Sequence, residues 1–185
     1  MRRAVCTVVL ATLALCASAH ESTDNRATLV LREPTHLVVT LYLGLGDALH
    51  QAVAPQQPSL DFLAAHASMP TDEFARVCAA AQARWQSTIA LRNAQDKPLG
   101  DTVWTWPKPA EVQQMLRMRL MQNLADPSRA AHEEPTEVRA ELRSSKAINA
   151  LKVAFPPEFK KVIVVSYRPS QVTLEPGKPA PLVQF

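Results

Sequence analysis

Residues 27–43 read ATLVLREPTHLVVTLYL. Ala27 to Glu33 has the composition of a strand, with Leu29 and Leu31 on one face. Glu33-Pro34-Thr35 interrupts it. His36 to Leu43 then resumes in Val, Thr, Leu and Tyr. Two β-rich runs around a proline-containing turn predict a hairpin. With the turn centred near Pro34 and Thr35, residue i faces roughly residue 69 − i in an antiparallel pair.

Outward from the hairpin, the chain changes character. Asp47 to Val53 reads as a short helix closed by Pro55 and Pro58, and Ser59 to His66 as a second. Pro70-Thr71-Asp72-Glu73 predicts a helix start. Thr71 is placed to cap, and the two acids stand where the helix dipole favours negative charge. That helix is expected to run to about Trp85. Ser87 to Arg92 reads as a strand, Asp96 to Gly100 as a turn, and Thr102 to Trp106 as another short strand. Pro107 and Pro109 end it and open a helix from Ala110 to Leu124. The chain then returns to β. Glu137 to Arg143 alternates, Ile148 to Phe155 ends at Pro156-Pro157, and Gln171 to Leu174 is short. Lys161 to Tyr167 is a continuous apolar run, the signature of a central strand covered on both faces. Strands, then helices, then strands argue against an alternating open sheet. The expectation is an α+β fold, a mainly antiparallel immunoglobulin-like β-sandwich with a helical insertion at about 47–124.

The first residues set the compartment. Arg2 and Arg3 precede an apolar run from Ala4 to Leu15, followed by Ala17-Ser18-Ala19. A positive end, a short apolar core and a small-x-small site in that order predict a cleaved signal peptide of residues 1–19. The mature chain then spans 20–185 as one domain, begins at His20, and is periplasmic or secreted. Acylation at Cys16 fits less well, because Leu15 stands where a small residue is wanted. A twin-arginine route lacks the expected context around Arg2-Arg3. No later stretch is long and apolar enough to span a membrane.

Charge and cysteine narrow the partners. Without Arg2 and Arg3 the 20 basic residues fall to 18 against 17 acids. That balance gives no reason to expect nucleic acid or an anionic membrane as a ligand. Cys6 and Cys16 leave with the signal, so Cys78 has no intrachain partner. Its alanine-rich surroundings predict burial.

No familiar catalytic motif is present: the sequence lacks G-x-S-x-G, H-E-x-x-H, a P-loop and C-x-x-C. Gly44-Leu45-Gly46 lacks the third glycine of a dinucleotide loop and reads as a strand end. Glu133 and Glu134 read as a solvated loop. A mature N-terminal His20 offers an amine and a ring nitrogen, a chelate suited to Cu(II). The hairpin register brings His50, near Asp47, toward it, and leaves His36 at the far end. The metal candidates are therefore His20 and His50, with copper as the candidate cofactor. The plainer reading of His20 is a loose end left by cleavage. Met115, Met118 and Met121 are spaced to bind Cu(I), yet the neighbouring Val112, Leu116, Leu120 and Leu124 favour a core-facing helix with methionine as gap filler. Trp85, Trp104 and Trp106 read as core and edge packing ahead of a carbohydrate platform.

The order of elements resembles a loose group of bacterial periplasmic proteins built on an immunoglobulin-like sandwich. The residues that carry the resemblance are His20-Glu21, the hairpin Ala27–Leu43, Leu151–Phe155 with Pro156-Pro157, and the pair Val162–Tyr167 and Gln171–Leu174. His20-Glu21 is also similar to the start of the extracytoplasmic region found with HupE/UreJ-like membrane proteins linked to nickel. The resemblance implies a secreted β-sandwich. The function expected is a non-catalytic periplasmic binding or accessory domain with a protein partner. The alternative is copper or nickel handling through His20.

Overall fold

The structure, a computed structural model, describes residues 24–127 and 133–170. The predicted signal peptide, His20, the expected strand Gln171–Leu174 and the tail after it lie outside the described residues. The chain runs β1 (Asn25–Glu33), β2 (His36–Leu43), α1 (Leu45–Val53), α2 (Ser59–Ala67), α3 (Thr71–Thr88), β3 (Ala90–Arg92), β4 (Thr102–Thr105) and α4 (Pro109–Ala125). It continues through β5 (Thr136–Arg143), β6 (Lys152–Ala154), one 3-10 turn (Pro157–Phe159) and β7 (Val162–Tyr167).

β1 and β2 form the expected hairpin, with Leu29 opposite Val39 and Ala27 opposite Leu41. This register is one residue from the one read off the sequence, and the ladder shifts between Leu31 and Glu33 to reach the turn. The physical reason is facing. A slip of one would set Leu29 against Thr40 and divide the apolar set between the two faces. β5 pairs antiparallel with β2, and β4 with β5. β7 lies parallel to β1, giving the order β4-β5-β2-β1-β7. One face carries Leu29, Val39, Leu41, Val138, Ala140 and Leu142, all buried. The helices fill that face with Leu49, Phe62, Phe74, Trp85 and Leu116 in one continuous core. In α3 the buried residues Phe74, Cys78, Ala81 and Trp85 recur at helical spacing, so a single stripe faces inward.

The fold class is α+β, with the helices between early and late strands. Two features depart from the expected sandwich. The five-stranded sheet is mixed, because β7 runs parallel to β1. The second sheet is only the β3–β6 ribbon among the described residues, and helices occupy the space of a second full sheet.

Other differences are local. Ser87 and Thr88 extend α3, their hydroxyls donating to the Arg84 carbonyl, so the next strand starts at Ala90. Thr71 is the first helical residue, not the cap, because the Phe74 amide bonds the Pro70 carbonyl. Only Lys152–Ala154 of the expected strand Ile148–Phe155 is paired. Upstream, the Ser144 and Ile148 amides are taken by the Thr35 and Pro34 carbonyls of the hairpin turn. The largest correction concerns Lys161–Tyr167, read as a central strand. Among the described residues β7 is an edge strand, and Ile163, Val164, Val165 and Tyr167 are 39–52 % exposed.

Candidate functional site

A polar hollow of about 400 Å3 opens where β1 begins, α1 begins and β7 is approached. Its centre is Arg119 of α4. The guanidinium Nη1 donates to Asp47 Oδ1 at 2.7 Å and to Glu133 Oε2 at 2.8 Å. Glu133 caps α1 from across the molecule, accepting the Gly46 amide on Oε1 and the Asp47 amide on Oε2 at 3.0 Å. These are helix N-terminal donors that the helix itself leaves unpaired, and a carboxylate suits them in geometry and charge. Gly46 allows the close approach: a Cβ there would stand 2.9 Å from Leu116 Cδ2 and 3.0 Å from Glu133 Oε1, so those side chains would have to shift.

The same cluster fixes the start of β7. Lys160 Nζ reaches Asp47 Oδ2 at 3.1 Å, and Lys161 Nζ reaches Asp24 Oδ2 at 2.9 Å. The Asn25 side chain accepts the Gly44 amide at 2.8 Å and donates to the Phe159 carbonyl. Buried Glu158 pairs with Arg84.

The two central carboxylates titrate in opposite directions. Burial raises the Asp47 pKa, but the hydrogen bonds and charges of Arg119 and Lys160 outweigh it, and the group sits below its ordinary value. At Glu133 burial dominates. The Gly46 amide, Arg119 and the Asp47 amide offset it only in part, and the group sits above its ordinary value. Carboxylates pushed apart in this way can mark an acid–base pair. Here both oxygens of each are already bonded within the fold, so the cluster works as a clamp joining α1, α4, β1 and the approach to β7.

The sequence-predicted site residues fall around this clamp. Asp47 belongs to it. His50 stands one helical turn further along α1, half-buried and stacked on Phe62 with ring centroids 4.5 Å apart. Its Nε2 bonds the Gln57 carbonyl at 2.8 Å, which makes Nε2 the protonated nitrogen and leaves the lone pair on Nδ1. His36 is at the opposite end of the hairpin, as the register predicted, 3.6 Å from Glu141. No group of three His, Cys, Asp or Glu side chains is placed to hold a metal among the described residues. Cys78 is buried as expected, and burial pushes its thiol up to about 11. Trp104, Trp106, Trp85 and Phe159 form a chain of ring contacts 5.5–5.8 Å apart that closes one side of the core.

Sequence reading missed Arg119, Glu133 and Lys160. Glu134 is in solvent as expected, but Glu133 is largely buried. The only signal for its role was negative: Gly44, preceding α1, has no side chain to cap with. The methionines were also misread. Met118 and Met121 are 55 % and 65 % exposed, because the inward stripe of α4 is carried by Val112, Gln113 and Leu116. Gln113 instead ties α4 to the end of α2, donating to the His66 and Met69 carbonyls at 3.2 and 2.7 Å.

The second surface feature is apolar. β7 pairs with β1 on one side only among the described residues. Beneath it a groove of about 480 Å3 is lined by Leu29, Leu31, Leu37, Leu151, Val153 and Val164. No helix among the described residues is long and apolar enough to cross a membrane. No family model, curated protein or solved structure matches the chain.

Proposed function

We propose that this chain is a periplasmic or secreted, non-catalytic binding domain that recognises an extended segment of a protein partner along the edge of β7 left unpaired among the described residues. The observation that carries this reading is the exposure of Ile163, Val164, Val165 and Tyr167 on a strand that is paired on one side only among the described residues. Edge strands are ordinarily guarded by charge, proline or a bulge, and Val162–Tyr167 has none of these within it. A partner strand would gain main-chain hydrogen bonds from the edge and place alternate side chains toward the groove. Lys160 and Lys161 before β7 are paired with Asp47 and Asp24, but Arg168 after it is bonded to the neutral Ile148 carbonyl and favours a partner with an acid beside its apolar centre. The same cations oppose self-pairing, since an antiparallel copy would set Lys161 near Arg168. The compartment follows from the reading of residues 1–19.

The test uses a synthetic peptide that alternates valine with threonine between glutamate flanks. Expected is saturable binding that protects β7 amides from hydrogen exchange. Val165→Lys should weaken it about tenfold or more, as loss of a central contact does. Val103→Lys, on the opposite edge strand β4, should leave it unchanged. Binding insensitive to Val165→Lys, or no binding, would remove the reading.

A second reading keeps copper or nickel handling through His20 and His50. It draws support from Asp24 and Asp47 lining one hollow, which brings the chain entering β1 close to the first turn of α1. Protein beginning at His20 should bind Cu(II) more tightly than protein beginning Met-His20, and His50→Ala should weaken it. Equal binding by all three would leave surface coordination only.

A further inference from the structure

We propose that Met115, Met118 and Met121 on α4 form a binding site for Cu(I). The three thioethers follow one another at helical spacing, where neighbouring Cβ atoms are about 5–6 Å apart. Their unbranched, flexible chains let the sulfurs of adjacent methionines converge. Packing does not explain the outer two. Met118 and Met121 are more than half exposed, beyond the inward stripe that ends with Leu116 and half-buried Leu120.

The surroundings fit a soft cation. A hollow of about 290 Å3 between α4 and the approach to β5 is lined by Met115, Met118, Gln122, Glu134 and Thr136, with Met121 outside the lining about one turn beyond Met118. The Thr136 hydroxyl donates to Met115 Sδ at 3.5 Å, which holds that sulfur at the hollow and leaves it a second lone pair. The charged groups facing the hollow are Arg119, Glu133 and Glu134. Arg119 is already neutralised by Asp47 and Glu133, so Glu134 offsets an incoming positive charge. Neutral thioether ligands select Cu(I) over zinc, calcium and magnesium, which prefer imidazole, thiolate or oxygen. The cysteine thiol is no competitor: Cys78 is buried on α3 and protonated.

The experiment is anaerobic titration of the chain beginning at His20 with Cu(I), held reduced by ascorbate, against a chromogenic Cu(I) chelator. A parallel titration with Ag(I) follows the methionine methyl resonances. Expected is one Cu(I) per chain, with shifts at the three α4 methionines and none at Met69. Removing a ligand should cost at least what removing a supporting partner costs, about tenfold in affinity. Met118→Leu should show that loss, and Met118→Leu with Met121→Leu should abolish the site. Both positions are exposed, so circular dichroism should be unchanged. Cys78→Ala should bind as the parent does. Absence of binding in the micromolar range, affinity unchanged in the double variant, or loss of binding in Cys78→Ala would each overturn the proposal.

Discussion

β2 and β7 are written in nearly the same alphabet, HLVVTLYL and VIVVSY, yet they occupy opposite situations in one sheet. β2 is flanked by β1 and β5, and Leu37, Val39, Leu41 and Leu43 lie under the helices. Even Val38, on the other face, is buried. Among the described residues β7 has one neighbour and keeps only Val162 half-covered. The difference shows that strand composition specifies a strand but not its rank in the sheet. Rank depends on pairings between distant segments, here residues 25–30 with 162–167. An apolar run left at an edge is then a surface feature, and the clamp around Arg119 explains why it is presented in one position. Lys160 and Lys161 pin the chain just before the strand, and Arg168 after it donates to the Ile148 carbonyl at 3.1 Å.

The contrast has a thermodynamic form. Leu41→Ala in β2 should cost roughly 2–5 kcal/mol, since a fully buried leucine leaves a cavity. Val165→Ala in β7 should fall within about 0.5 kcal/mol of the parent, as exposed sites do. Urea unfolding of both variants measures the gap. A loss at Val165 comparable with that at Leu41 would mean that β7 is covered.

Between these extremes stands the clamp. Arg119→Ala should cost about 1–3 kcal/mol, because it leaves two partly buried carboxylates facing each other without their shared donor. It should also speed hydrogen exchange at the start of β7 more than in β2. A uniform change across both strands would separate the clamp from the placement of β7.

The smallest expected effect is in pH dependence. Asp47 is held below its ordinary value in the folded state, so its contribution to stability is present above the unfolded pKa and is lost as pH falls through the folded one. Glu133 works the other way. Its folded pKa is raised, the folded chain retains the proton longer, and stability declines as pH rises from the unfolded toward the folded value. Asp47→Asn should therefore flatten the acid limb of the stability profile, and Glu133→Gln the slope just above it. Parallel profiles for parent and variants would contradict the opposed shifts.

Much of the scaffold was legible in the sequence because it is local. The β1–β2 turn at Glu33-Pro34-Thr35, the proline-led openings of α3 and α4, and the burial of Cys78 follow from neighbours in the chain. What escaped reading is long-range. Glu133 caps a helix 86 residues away at Asp47, and nothing local distinguishes it from Glu134. The α4 methionines share a helix with core leucines, and only the packing of α4 against α2 decides which face turns inward.

Native-state hydrogen exchange of the isolated chain, compared strand by strand, tests the central claim most directly. Amides in a central strand open only with the whole domain, whereas a free edge exchanges through cheap local opening or directly. The expected result is slow exchange throughout β2 and fast exchange at those β7 amides that point away from β1, with protection appearing there when the acid-flanked peptide is added. Protection of β7 equal to that of β2 in the isolated chain would contradict it, because the edge would then already be occupied.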